Sequence, residues 1–408
     1  MGNTLLTTSM IADKALQILT EKLAFIPSIN RSYDDSFART GAKIGDTLKI
    51  RVPQHGTVRT GRIMQPDPLV DVVTPIVIAQ QQGVDLSYSS AELALDIDEF
   101  SQRYLNQRIA DLAVGIEAAV LSSCGLAIPS MTGPSTTGAL NDLFYPLMAG
   151  KLLDDQLAYG DRSILLNTSG NVQIVKALSG LFNSQTDIAK QYREGYMGKA
   201  VGFDWGMSTV IPQWTVGPFG GAPEVNAANQ SGSAIVTKGW TASSTPLNVG
   251  DVITFAGVNG VHAQTKQDLG YLKQFVVTSA GAADGTGNLT VNISPALIPP
   301  GSPQQNVTAS PAANAVIALP SGVTAAKTYG LNLAYAKDFA TFVSADLPLP
   351  PKKDSARRVY ESISLRVIND FDTPNDNFLT RVDVLWGSAV IRPELATRIV
   401  NDPTILTP

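Results

Sequence analysis

The chain has 408 residues, 44% of them hydrophobic and only 16% charged, with a formal net charge of -5. That length exceeds one ordinary domain, and a charged fraction below the roughly 25% of typical soluble domains points either to burial against partner subunits or to a large uncharged polar surface. The acidic balance excludes a whole-molecule nucleic-acid binder, and a single cysteine, Cys124, excludes a disulfide framework or a zinc site built from several cysteines.

In residues 4–25, Leu5, Ile11, Ala15, Leu16, Ile18, Leu19 and Leu23 recur at helical spacing until Pro27, which predicts an amphipathic N-terminal helix. Asp13 and Lys14 interrupt its apolar stretch, and the basic start and long apolar core of a signal peptide are missing. A protein made and used in the cytoplasm is expected. No run of about 18 consecutive apolar residues occurs, so no transmembrane helix is expected.

Gly45-Asp46 makes a turn into an alternating strand at 47–52, residues 56–62 form a Gly-rich basic return, and residues 69–86 extend again through Val70, Val72, Ile76, Ile78 and Val84. This reads as a long hairpin, too polar to be stable alone, which projects onto a neighbour. Phe100, Tyr104, Leu105, Ile109, Leu112, Ile116 and Val120 then share one helical stripe, opened by Asp96 or Asp98 and ended by Gly125 and Pro129. About 25 residues of helix would span roughly 37 Å, the dimension of a structural spine. Residues 140–181 alternate helix with a strand at 163–166 that Asn167 and Ser169 follow as caps, an α+β unit.

Near Trp214 the composition turns to Gly, Ala, Ser, Thr, Asn and Pro, and it stays so until about Lys327. Strand candidates at 234–237, 251–255, 271–278 and 289–293, with turn signals between them, predict a small all-β barrel or sandwich inserted into the α+β unit. Helix and strand text resumes at 335–343 and 357–368 around a stiff turn at Pro348, Pro350 and Pro351, and strands at 380–386 and 389–391 close the chain.

The residues offer little chemistry. The two histidines, His55 and His262, lie in different units without a nucleophile nearby, and Cys124 falls near the apolar stripe of the long helix, where cysteine acts as a small hydrophobe. Gly195 to Lys199 lacks the first glycine and the following Ser or Thr of a phosphate loop. Residues 281–288 carry one carboxylate, Asp284, where a calcium loop brings several, so a hairpin turn is the reading. The acidic groups of Asp34-Asp35, Asp154-Asp155 and residues 369–377 read as loop and cap residues. No catalytic residue, cofactor or metal is expected. Arg31, Arg39, Lys43, Lys49, Arg51, Arg59 and Arg62 outnumber acids between Arg31 and Arg62. They are either a solvated basic face or a contact with an acidic patch of the next subunit, with DNA contact ranked behind both.

Residues 198–212 (GKAVGFDWGMSTVIP), 248–261 (NVGDVITFAGVNGV), 331–350 (LNLAYAKDFATFVSADLPLP) and 365–399, ending VLWGSAVIRPELATRI, resemble the coat proteins of the P-twenty-two-type phage family. The resemblance covers most of the chain in order and is sharp in these patches. In that family the tract around Gly202-Phe203-Asp204 leads into an inserted β domain, and a stretch like 332–339 resumes the core. The resemblance implies a Hong-Kong-ninety-seven-type capsid fold of the α+β class. Its parts would be an N-terminal arm at 1–39, an extended loop at 40–82, and a peripheral domain with a spine helix at 83–130 plus about 345–375. An axial domain would take 131–213 plus about 331–344 and 376–408, and the inserted β domain 214–330.

The resemblance further implies a major capsid protein that self-assembles as hexamers and pentamers into an icosahedral head around double-stranded DNA. It would work with a scaffolding protein and a portal, and a decoration protein is a further candidate partner. No membrane partner and no enzymatic activity are expected, and Arg39, Lys43, Lys49, Arg51, Arg59 and Arg62 are the candidate intersubunit contacts. Some relatives of the wider fold cross-link through lysine and asparagine; the inserted domain argues against that for Lys43 or Lys49. An encapsulin-like compartment shell and a secreted β-rich carbohydrate-binding protein are the alternatives.

Overall fold

The structure, a computed structural model, describes residues 7–31, 47–53, 56, 61–64, 66, 72–89, 101–134, 140, 144–158, 160–178, 199–351, 353–375 and 377–406. In chain order it places α1 (Thr8–Lys22), β1 (Thr47–Val52), β2 (Val72–Val77), β3 (Gln80–Ser89), α2 (Asn106–Ala127), β4 (Met131–Thr132), α3 (Phe144–Asp155), β5 (Arg162–Leu166) and α4 (Thr168–Leu178). Next come β6 (Lys199–Ala200), β7 (Phe203–Met207), β8 (Gln213–Thr215), β9 (Gly221–Val225), β10 (Gly232–Trp240), β11 (Val252–Val261), β12 (Asp268–Ser279), β13 (Leu289–Leu297) and β14 (Ile317–Ala318). The chain closes with β15 (Thr328–Ala336), β16 (Ala340–Ala345), β17 (Asp354–Tyr360), β18 (Ile363–Asp372), β19 (Asn377–Val390) and β20 (Ala396–Asn401). Two compact units result, one from Met1–Ile50, Val73–Leu121 and Ala340–Ala389, the other from Arg51–Val72, Ser122–Phe339 and Val390–Pro408.

The first unit is built on a sheet ordered β16-β19-β18-β17, with β3 pairing β19 from Gln80 opposite Trp386 to Ser89 opposite Asn377. Helix α1 starts where the Thr7 side chain accepts the Met10 amide and lays Ile11, Ala12, Ala15, Leu16 and Leu19 into the interior. It packs on β17 and β18. Beyond it, the Glu117 carboxylate of α2 accepts the backbone amides of Ala24 and Phe25 at 2.9 and 3.1 Å.

Of the expected stripe, Leu105, Ile109, Leu112, Ile116 and Val120 are buried, as is Cys124, whereas Tyr104 is half-buried and Phe100 lies outside the described residues. A π-helical turn at Ser101–Leu105 precedes it, and the helix ends at Ala127, between the expected stops Gly125 and Pro129; Asp96 and Asp98 lie outside the described residues. Its 22 residues span about 33 Å. By length and composition this helix could cross a membrane, at a mean hydropathy of 1.6, but half of it is buried and Glu117 is committed to the Ala24 and Phe25 amides, as in a core helix.

In the sheet, Arg366 of β18 and Arg381 of β19 both bind the buried Asp383 carboxylate, at 2.6 and 2.8 Å. Gly83 of β3 lies beside it: a Cβ there would sit 2.5 Å from the Val382 carbonyl and 2.6 Å from the Asp383 carboxylate, so only glycine fits. The closing strands expected at 380–386 and 389–391 are one continuous β19, because Gly387 admits the close approach of the Val77 carbonyl instead of breaking the strand.

The second unit holds a sheet ordered β4-β20-β15-β5-β7-β6, with β8 on β15, and α3 packs on β20 and β4. A second sheet, ordered β14-β11-β12-β13-β10-β9, curls until β9 and β14 meet at the Glu224–Val316 bridge and nearly closes into a barrel. Val225, Ile235, Ile253, Phe255, Phe275, Val291 and Ile293 fill it. The four strand candidates of the compositionally distinct segment all lie in β10 to β13. The strands that lead into and out of this barrel, β8 and β15, pair with each other, Thr215 opposite Thr328 and Trp214 opposite Tyr329.

Candidate functional site

Strands β1 and β2 form a two-stranded sheet of their own. Ile50 and Ile76 are buried, while Val72, Val73 and Val77 are exposed, and past β1 Ile63 and Met64 are 82% and 76% exposed. The basic residues Lys49, Arg51 and Arg62 are exposed as well. Arg39, Lys43 and Arg59, and with them His55, lie outside the described residues. A hairpin this short is at best marginal alone.

Within the second unit, a buried polar junction joins the barrel to the sheet beneath it. Arg398 of β20 is fully buried, donates to the carbonyls of Gly250 and Leu126 at 2.7 and 2.9 Å, and lies over the Trp214 ring at 5.5 Å. Asp251 receives the Trp214 indole N–H at 3.1 Å, the Gly217 amide at 3.1 Å and the Asn248 amide at 2.8 Å. Burial pushes the Asp251 carboxyl above its ordinary value; those donors and the Arg398 charge pull against it. Burial also depresses Arg398, to about 9, opposed by Asp251. Two further ties hold the barrel: the Gln274 amide binds both the N–H and C=O of Met131 in the sheet, and Tyr271 donates to Asp155 at the end of α3 at 2.9 Å.

These are structural bonds, and the described residues weighed from sequence behave likewise, whereas Asp34 and Asp35 lie outside the described residues. Among the described residues no group of three or more His, Cys, Asp or Glu side chains could hold a metal. His262 accepts the amides of Gln264 and Thr265 within its own turn. Asp284 accepts from Thr286 and Asn288, closing the turn read from sequence. Cys124 is buried, which pushes its thiol up to about 12. Asp154 pairs with Arg162, Asp155 with Lys151, and Asp370 with Lys353. Gly195 to Gly198 lie outside the described residues.

Sequence reasoning missed the junction, whose members stand far apart in the chain. The only local signal was an aspartate after a glycine, Gly250-Asp251, at the head of a strand.

A family model described as P22 coat protein, gene protein 5, matches residues 148–398. The chain belongs to the P22 coat protein family. It is a tailed-phage major capsid protein, a component of the virion capsid, and its fold is of the Hong-Kong-ninety-seven type with an inserted, nearly closed β sheet. Among solved structures, Mycobacterium phage Che8 aligns with a TM-score of 0.45 at 11% identity, over 92% of this chain and 90% of that one. The mature capsid of bacteriophage PhiM1 aligns with a TM-score of 0.39 at 10% identity, over 91% and 88%. The CUS-3 coat protein I-domain is 35% identical over 26% of this chain and 92% of its own, with a TM-score of 0.17. The family match, not these superpositions, establishes what the coat protein is. No curated protein matches it in sequence.

Proposed function

We propose that this coat protein self-assembles as hexamers and pentamers into an icosahedral head that encloses double-stranded DNA, without catalysing a reaction. The family match over residues 148–398 carries the reading. Its support in the chain is the hairpin, with exposed Ile63 and Met64 and the exposed charges Lys49, Arg51 and Arg62. Each such contact is modest, and symmetric repetition makes the shell stable. With a net charge of -5, contact with the packaged DNA is local and non-specific.

The proposed division of labour is an arm at 1–39, an extended loop at 40–82, and a peripheral domain at 83–130 plus about 345–375. An axial domain takes 131–213 plus about 331–344 and 376–408, and the insert takes 214–330. Assembly takes place in the host cytoplasm with a scaffolding protein and a portal, and a decoration protein is a candidate later addition. Co-expression with the scaffolding gene of its phage, followed by sedimentation and electron microscopy, tests this. Closed particles of uniform size are expected, and soluble monomers alone would overturn it. Reversing Arg59 and Arg62 to glutamate should block shell formation while the monomer stays folded; normal shells would remove the basic loop from the interface.

A further inference from the structure

The turn at 262–267 joins β11 to β12 and is closed from inside by the His262 ring, whose Nδ1 receives the amides of Gln264 and Thr265 at 3.3 and 3.2 Å. Two main-chain bonds complete it: the His262 amide donates to the Gln267 carbonyl at 2.9 Å, and the Lys266 amide to the His262 carbonyl at 3.1 Å. Lys266 stands at φ +57°, a conformation that residues other than glycine adopt at a cost. The closed turn is thus held by long bonds to one ring nitrogen, against backbone strain.

The turn reaches two other parts of the second unit. The Ala263 amide donates to the Asp155 carbonyl at the end of α3 at 3.4 Å, and the Lys266 ammonium donates to the carbonyls of Ala263 and Gln305 at 2.6 and 3.2 Å. The carboxylates on these elements are engaged already: Asp155 with Lys151 and Tyr271, Asp154 with Arg162, and Asp268 with Asn259 and the Gly270 amide. Residues 302–307 carry no charged side chain. Burial holds the Lys266 ammonium below the ordinary lysine range, so the turn is a poor host for a second cation.

We propose that the 262–267 turn is an acid-opened latch: a proton on the His262 ring, taken up in the pH 5–8 window of histidine, opens the turn and releases the Ala263 tie between the barrel and α3. Nδ1 accepts only while it carries no proton. Protonated, it becomes a donor facing two amide donors, and it sets a positive charge in the same turn as the Lys266 ammonium. The closed turn is therefore stable above that window and is lost as pH falls through it. The Tyr271–Asp155 and Gln274–Met131 bonds do not involve the ring, so the barrel stays attached and this end alone loosens.

Hydrogen exchange of the full chain between pH 7.5 and pH 5, read by mass spectrometry on peptides covering 258–270 and corrected for the intrinsic pH dependence of exchange, tests the latch. The opening equilibrium should rise with acid by up to about tenfold per pH unit, the limit for one proton, while peptides from β13 keep their protection. His262→Asn offers a side-chain oxygen to the same amides and does not titrate, so its turn should stay closed across the range.

Opening that does not change with pH in the unmodified protein would overturn the proposal. So would a His262→Asn variant that opens with acid to the same extent. Should that variant be open at every pH, the histidine-bearing chain decides: with the ring carbons labelled and His55→Gln in place, the titration of the His262 ring seen by NMR has to coincide with the opening. An opening that follows a different pH would then overturn the latch.

Discussion

Replacing Asp251 with alanine should cost this coat protein about 3–5 kcal/mol of folding stability, the range for breaking a buried charge pair from one side. The carboxylate receives three donors, from Trp214, Gly217 and Asn248, all at 3.1 Å or less. Each donor left unmet in the interior costs about 1–3 kcal/mol. Arg398, with no exposed surface, loses the charge that offsets its burial. The sum exceeds the expected loss because removing the carboxylate also recovers its own desolvation cost, the largest influence on its titration. Against a total stability of about 5–15 kcal/mol the loss is large.

Urea unfolding followed by tryptophan fluorescence reads this directly, since Trp214 is one of the donors. A double-mutant cycle with Arg398→Met isolates the pair. The two changes should fall short of additivity by about 1–3 kcal/mol, as for residues in one network. A loss below about 1 kcal/mol for Asp251→Ala, or additivity within about 0.5 kcal/mol, would refute the reasoning.

Three more outcomes follow from single residues. Glu117→Ala should lose about 2–4 kcal/mol by stranding the Ala24 and Phe25 amides, and Glu117→Gln, which still offers an acceptor, should lose less. Burial raises the Glu117 carboxyl above its ordinary value. In the window just above pH 4.5 the folded chain therefore binds more protons than the unfolded one, and its stability falls as pH rises; Glu117→Gln should remove that part of the slope in urea titrations across pH 4–7. Cys124, with its thiol pushed up to about 12, should react with a thiol reagent only as fast as the protein unfolds. Gly250→Ala should cost about 1–3 kcal/mol in the same urea assay, because φ is +90° there and the new Cβ would meet Leu126.

What the sequence revealed tracks the physics of exposure. Helices α1 and α2 face the interior on one side only, so their apolar stripes are periodic and readable. The barrel announces itself because short strands between tight turns need small, polar and glycine residues, and β8 and β15 stand where that composition begins and ends. Strand β20 went unseen for the opposite reason. All six of its residues are buried, so no alternation survives, and Arg398 and Asn401 among them read as surface. The turn between β17 and β18 was missed because Glu361 and Ser362 adopt positive φ, where the usual signal is asparagine and glycine. In the hairpin Lys49, Arg51 and Arg62 could be picked out by charge alone.

The low charge content takes on a sharper meaning in the structure. Of a charged fraction of only 16%, several members are spent inside: Glu117, Asp251, Asp383 and Arg398 are all buried. In addition Asn332 binds Asn401, and Asn167 both binds Asn401 and caps α4 through the Gly170 amide. Buried polar groups of this kind add little net stability compared with well-packed apolar ones, but they penalise every arrangement in which a partner is missing. They therefore fix how the barrel and the segment after α1 are held within their own units, and they leave the exterior poorer in charge than the composition suggests. Val114, Ile63 and Met64 stand on that exterior, and a surface so short of charge is poorly suited to solitary life in water and well suited to being covered by copies of itself.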